Sequence, residues 1–170
     1  MEEKIEIKSD ATDIVEHLQT LSDISAKCQH ITEMGVRHVV STWCFVAGIP
    51  KGGKVVSIDI VPAPQGELDR VADFCNRKGI DFKFVLGDTT QIEIEETDLL
   101  FIDTLHTGEQ LEKELALHAS KAKKFIVFHD TESCKDELMP VIVKFLKEHK
   151  EWAIKAVYTN NNGIMILRRL

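Results

Sequence analysis

The sequence has no apolar run approaching the ~18 residues needed to cross a bilayer. Its opening, MEEKIEIKSD, is charged where a secretory leader would be apolar. A membrane-embedded or exported chain is therefore not expected, and a cytoplasmic location is. Basic residues are in deficit: 21 Lys and Arg against 28 Asp and Glu leave a net charge of −7. The densest basic groups, Lys121-Lys123-Lys124 and Arg168-Arg169, flank apolar segments as solvated strand ends do, so no nucleic-acid partner is expected. The four cysteines (Cys28, Cys44, Cys75, Cys134) include no C-x-x-C pair. That argues against a zinc knuckle or a disulfide scaffold and leaves them as small apolar residues without chemistry. Glycine is sparse as well. The nine present form neither a G-x-G-x-x-G phosphate loop nor a G-x-S-x-G nucleophile turn, which disfavours a nicotinamide oxidoreductase and a hydrolase.

What is there is a nearly unbroken alternation of strand and helix signals over 170 residues. After a charged leader, DATDIVEHLQTLSDISAKC sets Ile14, Leu18, Leu21 and Ile24 at helical spacing, with Ser9 or Asp10 as its cap. A first strand ends at Gly35, and the helix STWCFVAG stops at Gly48 before Pro50. KVVSIDI, DFKFVLGD, DLLFIDT and KFIVFHDT read as further strands. Between them lie the helices GELDRVADFCNRKG and TGEQLEKELALHASK, and DELMPVIVKFLKEHK follows with Pro140 assigned to its first turn. Continuous apolar strands joined by helices indicate a doubly wound α/β sheet, mostly parallel and covered on both faces. WAIKAVYT and GIMILRRL, separated by NNN, add an antiparallel C-terminal hairpin. One domain spanning 1–170 is expected, with 1–29 as a helical lead-in.

In such sheets ligands bind beyond the carboxyl ends of the strands. Those ends carry Glu33-Met34-Gly35-Val36-Arg37, Asp59, Gly87-Asp88-Thr89, Asp103-Thr104-Leu105-His106 and His129-Asp130-Thr131. Aspartate is a poor strand former, so its recurrence at one edge calls for a ligand. Asp59, 24 residues past Gly35, stands where a Rossmann-like site keeps an acid for a ribose, although a turn or helix-capping aspartate would look the same. One glycine, the preceding Glu33 and the helix start at Ser41-Thr42 suit a nucleoside carrying an amino acid and no phosphate, namely S-adenosylmethionine.

The stretches EMGVRHVVST (33–42), SIDI (57–60), LLFIDTLHTGEQL (99–111), FIVFHDT (125–131) and YTNNNGIMIL (158–167) resemble the class I S-adenosylmethionine-dependent methyltransferases. The likeness is greatest to small members related to cephalosporin-hydroxylase-like and catechol-type enzymes, and it runs from about residue 30 to the C-terminus. It implies that Glu33, Gly35 and Arg37 line the methionine end of the cofactor and Asp59 holds the ribose. It further implies that Gly87, Asp88 and Thr89 flank the adenine and that Asp103 sits near the sulfonium. Asp103, His129 and Asp130 would bind a divalent ion, Mg²⁺ or Mn²⁺, which would lower the pKa of an acceptor hydroxyl. The histidine tilts such a site towards Mn²⁺, Fe²⁺ or Zn²⁺. Without a metal, His106 or His129 would be the general base.

Several readings stay paired. Asp130 is a metal or substrate contact or a helix N-cap, and His129 is a ligand or the partner of a neighbouring loop. Asn160 to Asn162 face a polar acceptor or form a plain turn, and Trp43 stacks near the cofactor or belongs to the core. His118 reads as packing, His17, His30 and His149 as surface or capping residues, and EIEETD (93–98) as a solvated loop. The chain departs from the family at His38-Val39-Val40, where further glycines are usual. The expected function is O-methylation of a small hydroxylated metabolite or sugar, in a shallow site that a second subunit could complete. The alternative is a catalytically silent binding or scaffolding module of the same fold.

Overall fold

The computed structural model describes residues 13–170, so the cap expected at Ser9 or Asp10 lies outside the described residues. A single 3₁₀ turn, Val15–His17, leads into α1 (Leu18–Ser25), a shorter helix than the periodicity implied. There follow β1 (His30–Met34), α2 (Val40–Gly48), β2 (Lys54–Asp59), α3 (Gln65–Lys78), β3 (Asp81–Leu86) and β4 (Thr97–Ile102). The chain continues through α4 (Gly108–His118), β5 (Ala122–His129), α5 (Lys135–Glu148), β6 (Trp152–Tyr158) and β7 (Ile164–Arg169).

The strands form one seven-stranded sheet in the order β3-β2-β1-β4-β5-β7-β6. β3, β2, β1, β4 and β5 pair in parallel, and β7 runs antiparallel to both β5 and β6. This is the doubly wound sheet with a terminal hairpin that the sequence predicts. The buried run Leu99-Leu100-Phe101 shows why β4 is apolar throughout: its side chains enter two separate cores. Phe101 packs with Phe45 of α2 beneath α1, α2 and α3, whereas Leu100 joins Ile126 and Ile142 beneath α4 and α5. No helix among the described residues is long and apolar enough to cross a membrane.

Two local expectations are corrected. α5 begins at Lys135, which puts Pro140 in the second turn and not the first. Its ring removes the N–H that would reach the Asp136 carbonyl, and both residues are exposed, so the missing bond lies at the surface. His17, expected at the surface, is buried. It bonds the Asn160 carbonyl at 2.9 Å and packs edge-on to His129, with ring centroids 6.3 Å apart. The asparagines between β6 and β7 serve this docking. Asn161 Oδ1 accepts from the Glu16 N–H, Asn160 Nδ2 donates to Glu16, and Asn161, Asn162 and Gly163 all adopt left-handed backbone.

Candidate functional site

From β1 the chain passes to β2 on one side, and it returns to β4 on the other. Beyond this switch point lies a cavity of about 490 Å³, a size usual for small-molecule sites. Gly35 makes the closure of its base possible. A Cβ there would stand 1.8 Å from the Asp103 carbonyl oxygen, and the residue's φ is +86°. The Asp103 N–H in turn donates to Met34 O at 2.8 Å, stitching β4 to β1 at the cavity.

The turn after Gly35 is held by Asp59. Its Oδ2 accepts from the N–H groups of Val36 and Arg37 at 2.7 and 3.0 Å, and its Oδ1 accepts from Val61 N–H at 2.9 Å. A carboxylate offers about four acceptor directions, so one remains unused on Asp59, which lines the cavity. Arg37 and Val39 are left-handed here (φ 47° and 67°). For a β-branched residue that is a strained state, costing about 1–3 kcal/mol. Full burial of the Val39 side chain offsets it by a similar amount, roughly 1.5–3 kcal/mol. The chain thus takes a glycine-like backbone without the glycine. His38 and Val40 line the cavity and leave it open.

At the ends of β4 and β5 four side chains converge. His129 Nδ1 lies 3.2 Å from Asp103 Oδ1 and 3.1 Å from Asp130 Oδ2, and His106 Nε2 lies 3.3 and 2.9 Å from the same two atoms. Ser133 Oγ donates to Asp130 Oδ1 at 2.5 Å. His129 Nε2 faces the Asp13 carbonyl at 3.0 Å, which fixes that nitrogen as a donor. Nδ1 can then face two carboxylates only as the N–H of an imidazolium or as a lone pair on a cation. Burial pulls the His129 pKa down, but hydrogen bonds and charge from Asp103 and Asp130 outweigh it and raise it to about 10. Hydrogen bonds to Asp103 and Asp130 lift His106 likewise to about 10. Burial opposes ionisation of Asp130, yet bonds from His106, His129 and Ser133 hold it well below the usual carboxylate range. With no cation between the two carboxylates, both imidazoles are thus favoured in the protonated form. A protonated imidazole is a poor general base, which counts against the role expected of His106 and His129 in a metal-free site.

Among the other expected residues, Ser41, Asp88 and Thr89 line the cavity together with Gly35, Arg37, Asp59, Asp103, His106 and Asp130. Glu33, Thr42, Gly87 and His129 do not. Glu33 is fully buried, its two oxygens accepting from Ser41 Oγ (2.5 Å), Thr42 Oγ1 (2.7 Å) and Ser57 Oγ (2.5 Å). It therefore ties α2 and β2 to β1 and does not reach the cavity. Gly87 serves the chain, donating its N–H to Asp59 O. Trp43 packs edge-on to Phe74 in the core, away from the cavity. Burial raises the thiols of Cys28, Cys44 and Cys75 to about 12, which keeps them inert.

Sequence reasoning placed Thr104 and Leu105 at the ligand-binding edge but missed Ile60 and Gln110 on the cavity wall, and Glu114 behind it. One signal was available. Glu114 falls on the apolar stripe of α4 with Leu111, Leu115 and His118, all buried. A polar residue at such a position needs partners.

No protein-family profile and no curated protein matches the sequence. Solved structures match its fold. A methyltransferase from Geobacter sulfurreducens is 18% identical, over 98% of this chain and 83% of its own, with a TM-score of 0.61. The O-methyltransferase TomG from Streptomyces achromogenes, solved with S-adenosylmethionine, is 13% identical over 98% and 91%, with a TM-score of 0.63. An O-methyltransferase from Bacillus cereus, solved with S-adenosylhomocysteine, is 18% identical over 95% and 82%, with a TM-score of 0.56. The chain shares the Rossmann-like fold of these enzymes.

Proposed function

We propose that this protein is an S-adenosylmethionine-dependent O-methyltransferase. Its acceptor is a small hydroxylated metabolite or sugar, and a divalent ion sits at Asp103, His129 and Asp130. One observation carries the reading: a carboxylate with a free acceptor direction at the end of β2 and a paired-carboxylate site at the ends of β4 and β5 open into the same cavity. The fold shared with methyltransferases solved with S-adenosylmethionine or S-adenosylhomocysteine supports it.

The donor set fits a metal. Asp103, His129 and Asp130 bring one ligand atom each within 4.8 Å of one another, and the second nitrogen of His129 is anchored on a backbone carbonyl, as metal-bound imidazoles usually are. A bound divalent ion supplies a lowered pKa for a coordinated hydroxyl. The protein's own groups do the rest. Asp59 holds the nucleoside so that its methyl group lies in line with the acceptor. His106, about 41% exposed on its side chain, donates hydrogen bonds at the mouth, and the acidified hydroxyl loses its one proton to solvent there.

Calorimetric titration with S-adenosylhomocysteine should give micromolar binding. Asp59→Ala should weaken it by at least about 10-fold, the equivalent of one charged hydrogen bond. No heat from the wild type would remove the nucleoside assignment. Mn²⁺ should also bind. Asp130→Asn should weaken Mn²⁺ binding by at least about 10-fold, since asparagine tolerates the left-handed backbone there (φ 57°) but supplies no charge. Unchanged Mn²⁺ affinity in that variant would remove the metal site. Binding of both ligands with no turnover across hydroxylated acceptors would leave the silent module.

A further inference from the structure

Behind the cavity wall Glu114 is fully buried and takes no part in the chemistry above. Its Oε1 accepts from Thr89 Oγ1 at 2.5 Å and from Gln110 Nε2 at 2.9 Å, and its Oε2 accepts from Thr104 Oγ1 at 2.9 Å. A hydroxyl has one hydrogen to give, and Thr89 gives it to Glu114. The 3.3 Å contact between Gln110 Nε2 and Thr89 Oγ1 is then donated by the amide. Both N–H bonds of Gln110 are thus directed inward, and its Oε1 is left with no part in the network. A flipped amide would set a carbonyl oxygen 2.9 Å from a carboxylate oxygen, so the direction is fixed by chemistry.

Thr89, Thr104 and Gln110 all line the cavity. Each polar side-chain hydrogen they own is held by the network, so their side chains have no donor left for a ligand and Gln110 Oε1 is the acceptor they leave free. Asp88 beside them keeps Oδ1 on Thr90 N and Oγ1 at 2.8 and 2.7 Å, and its Oδ2 adds another acceptor. The side chains at this end of the cavity therefore offer acceptors and no donors. They fit a ligand edge that donates, and they oppose one presenting a carbonyl.

Resting on the nucleoside reading above, we propose that Gln110, oriented by Glu114, is a specificity-determining residue that selects a 6-aminopurine nucleoside over its 6-oxo counterpart. Gln110 would accept from the exocyclic amine. Glu114 is a positioning residue that never touches the ligand.

The test compares S-adenosylhomocysteine with S-inosylhomocysteine by calorimetry. Wild type should prefer the amino form by roughly 5- to 150-fold, the range for leaving one buried acceptor unpaired. Gln110→Met keeps the chain length and should bring the ratio within about 3-fold, mainly through weaker binding of the amino form. Glu114→Gln, which lets the amide turn, should narrow the ratio as well, an effect that loss of stability alone would not produce. Wild-type binding of both ligands with equal affinity would overturn the inference while the nucleoside site stands, as would a full preference retained in Gln110→Met. Binding of neither ligand would overturn both.

Discussion

Gly35→Ala should lower the melting temperature by roughly 10 °C and abolish S-adenosylhomocysteine binding. Two costs combine. A left-handed backbone is strained for any residue with a Cβ, and this Cβ would sit 1.8 Å from the Asp103 carbonyl oxygen, a backbone atom that only a shift of β4 can remove. Strain and overpacking together cost about 2–6 kcal/mol, and in a chain of this size each kcal/mol is worth about 2–4 °C. Because the clash is relieved by parting β1 from β4, the site is lost along with the stability. Gly52→Ala is the control. Its φ is +83° with nothing within 4 Å of the added carbon, so it carries the strain without the clash and should cost about 1 kcal/mol. Equal melting temperatures for the two variants would show that the close approach of β1 and β4 does not matter.

Glu33→Leu should cost about 3–5 kcal/mol, because Ser41, Thr42 and Ser57 would each keep a buried hydroxyl with no acceptor. Glu33→Gln should stay folded, since rotating hydroxyls can adapt to an amide, and it should change the pH dependence. Burial raises the Glu33 pKa to about 7 from 4.5, against the opposing bonds from Ser41, Ser57 and Thr42. The folded state then holds this proton more tightly than the unfolded chain. Its contribution to stability is complete below pH 4.5 and is lost as pH rises through about 7. The wild type should lose roughly 3 kcal/mol relative to Glu33→Gln across that window. Denaturant melts of both proteins from pH 4 to 8 check this, and taking their difference cancels Asp103, Asp130, His106 and His129. A difference that stays constant with pH would mean that Glu33 titrates normally.

The sheet was legible because its strands are long apolar runs closed by aspartates, and the order of elements admits few topologies. Asp59, Asp103, His106 and Asp130 were legible for the same reason: a polar residue ending an apolar strand stands at the sheet's carboxyl edge. Glu33 misled because it also stands near a strand end, yet it shares the face of Ile31 and so points beneath α2. Only the register that sets it beside Ser57, with Ser41 and Thr42 overhead, shows that its oxygens are already bonded. Val39 was illegible in principle. Local preference rejects a left-handed valine, and it is the core around it that overrides the preference. Gln110 was illegible because an amide near a helix start carries no signal until Thr89, from a different loop, is beside it. The general-base assignment lacked distances, since two carboxylates within 3.3 Å favour the protonated imidazole over the free base.

The turn from Gly35 to Val39 alternates left-handed residues with others, the backbone pattern that gathers successive N–H groups into an anion-binding nest. Dinucleotide enzymes leave that nest empty for a diphosphate. Here the resident anion is Asp59, attached to the same chain and already seated. A nucleotide bringing phosphates would meet negative charge where its relatives find a vacancy, while an uncharged ribose meets a hydrogen-bond acceptor. On the nucleoside reading proposed above, phosphorylated nucleosides should therefore bind more weakly than uncharged ones, because the Asp59 carboxylate already occupies the turn.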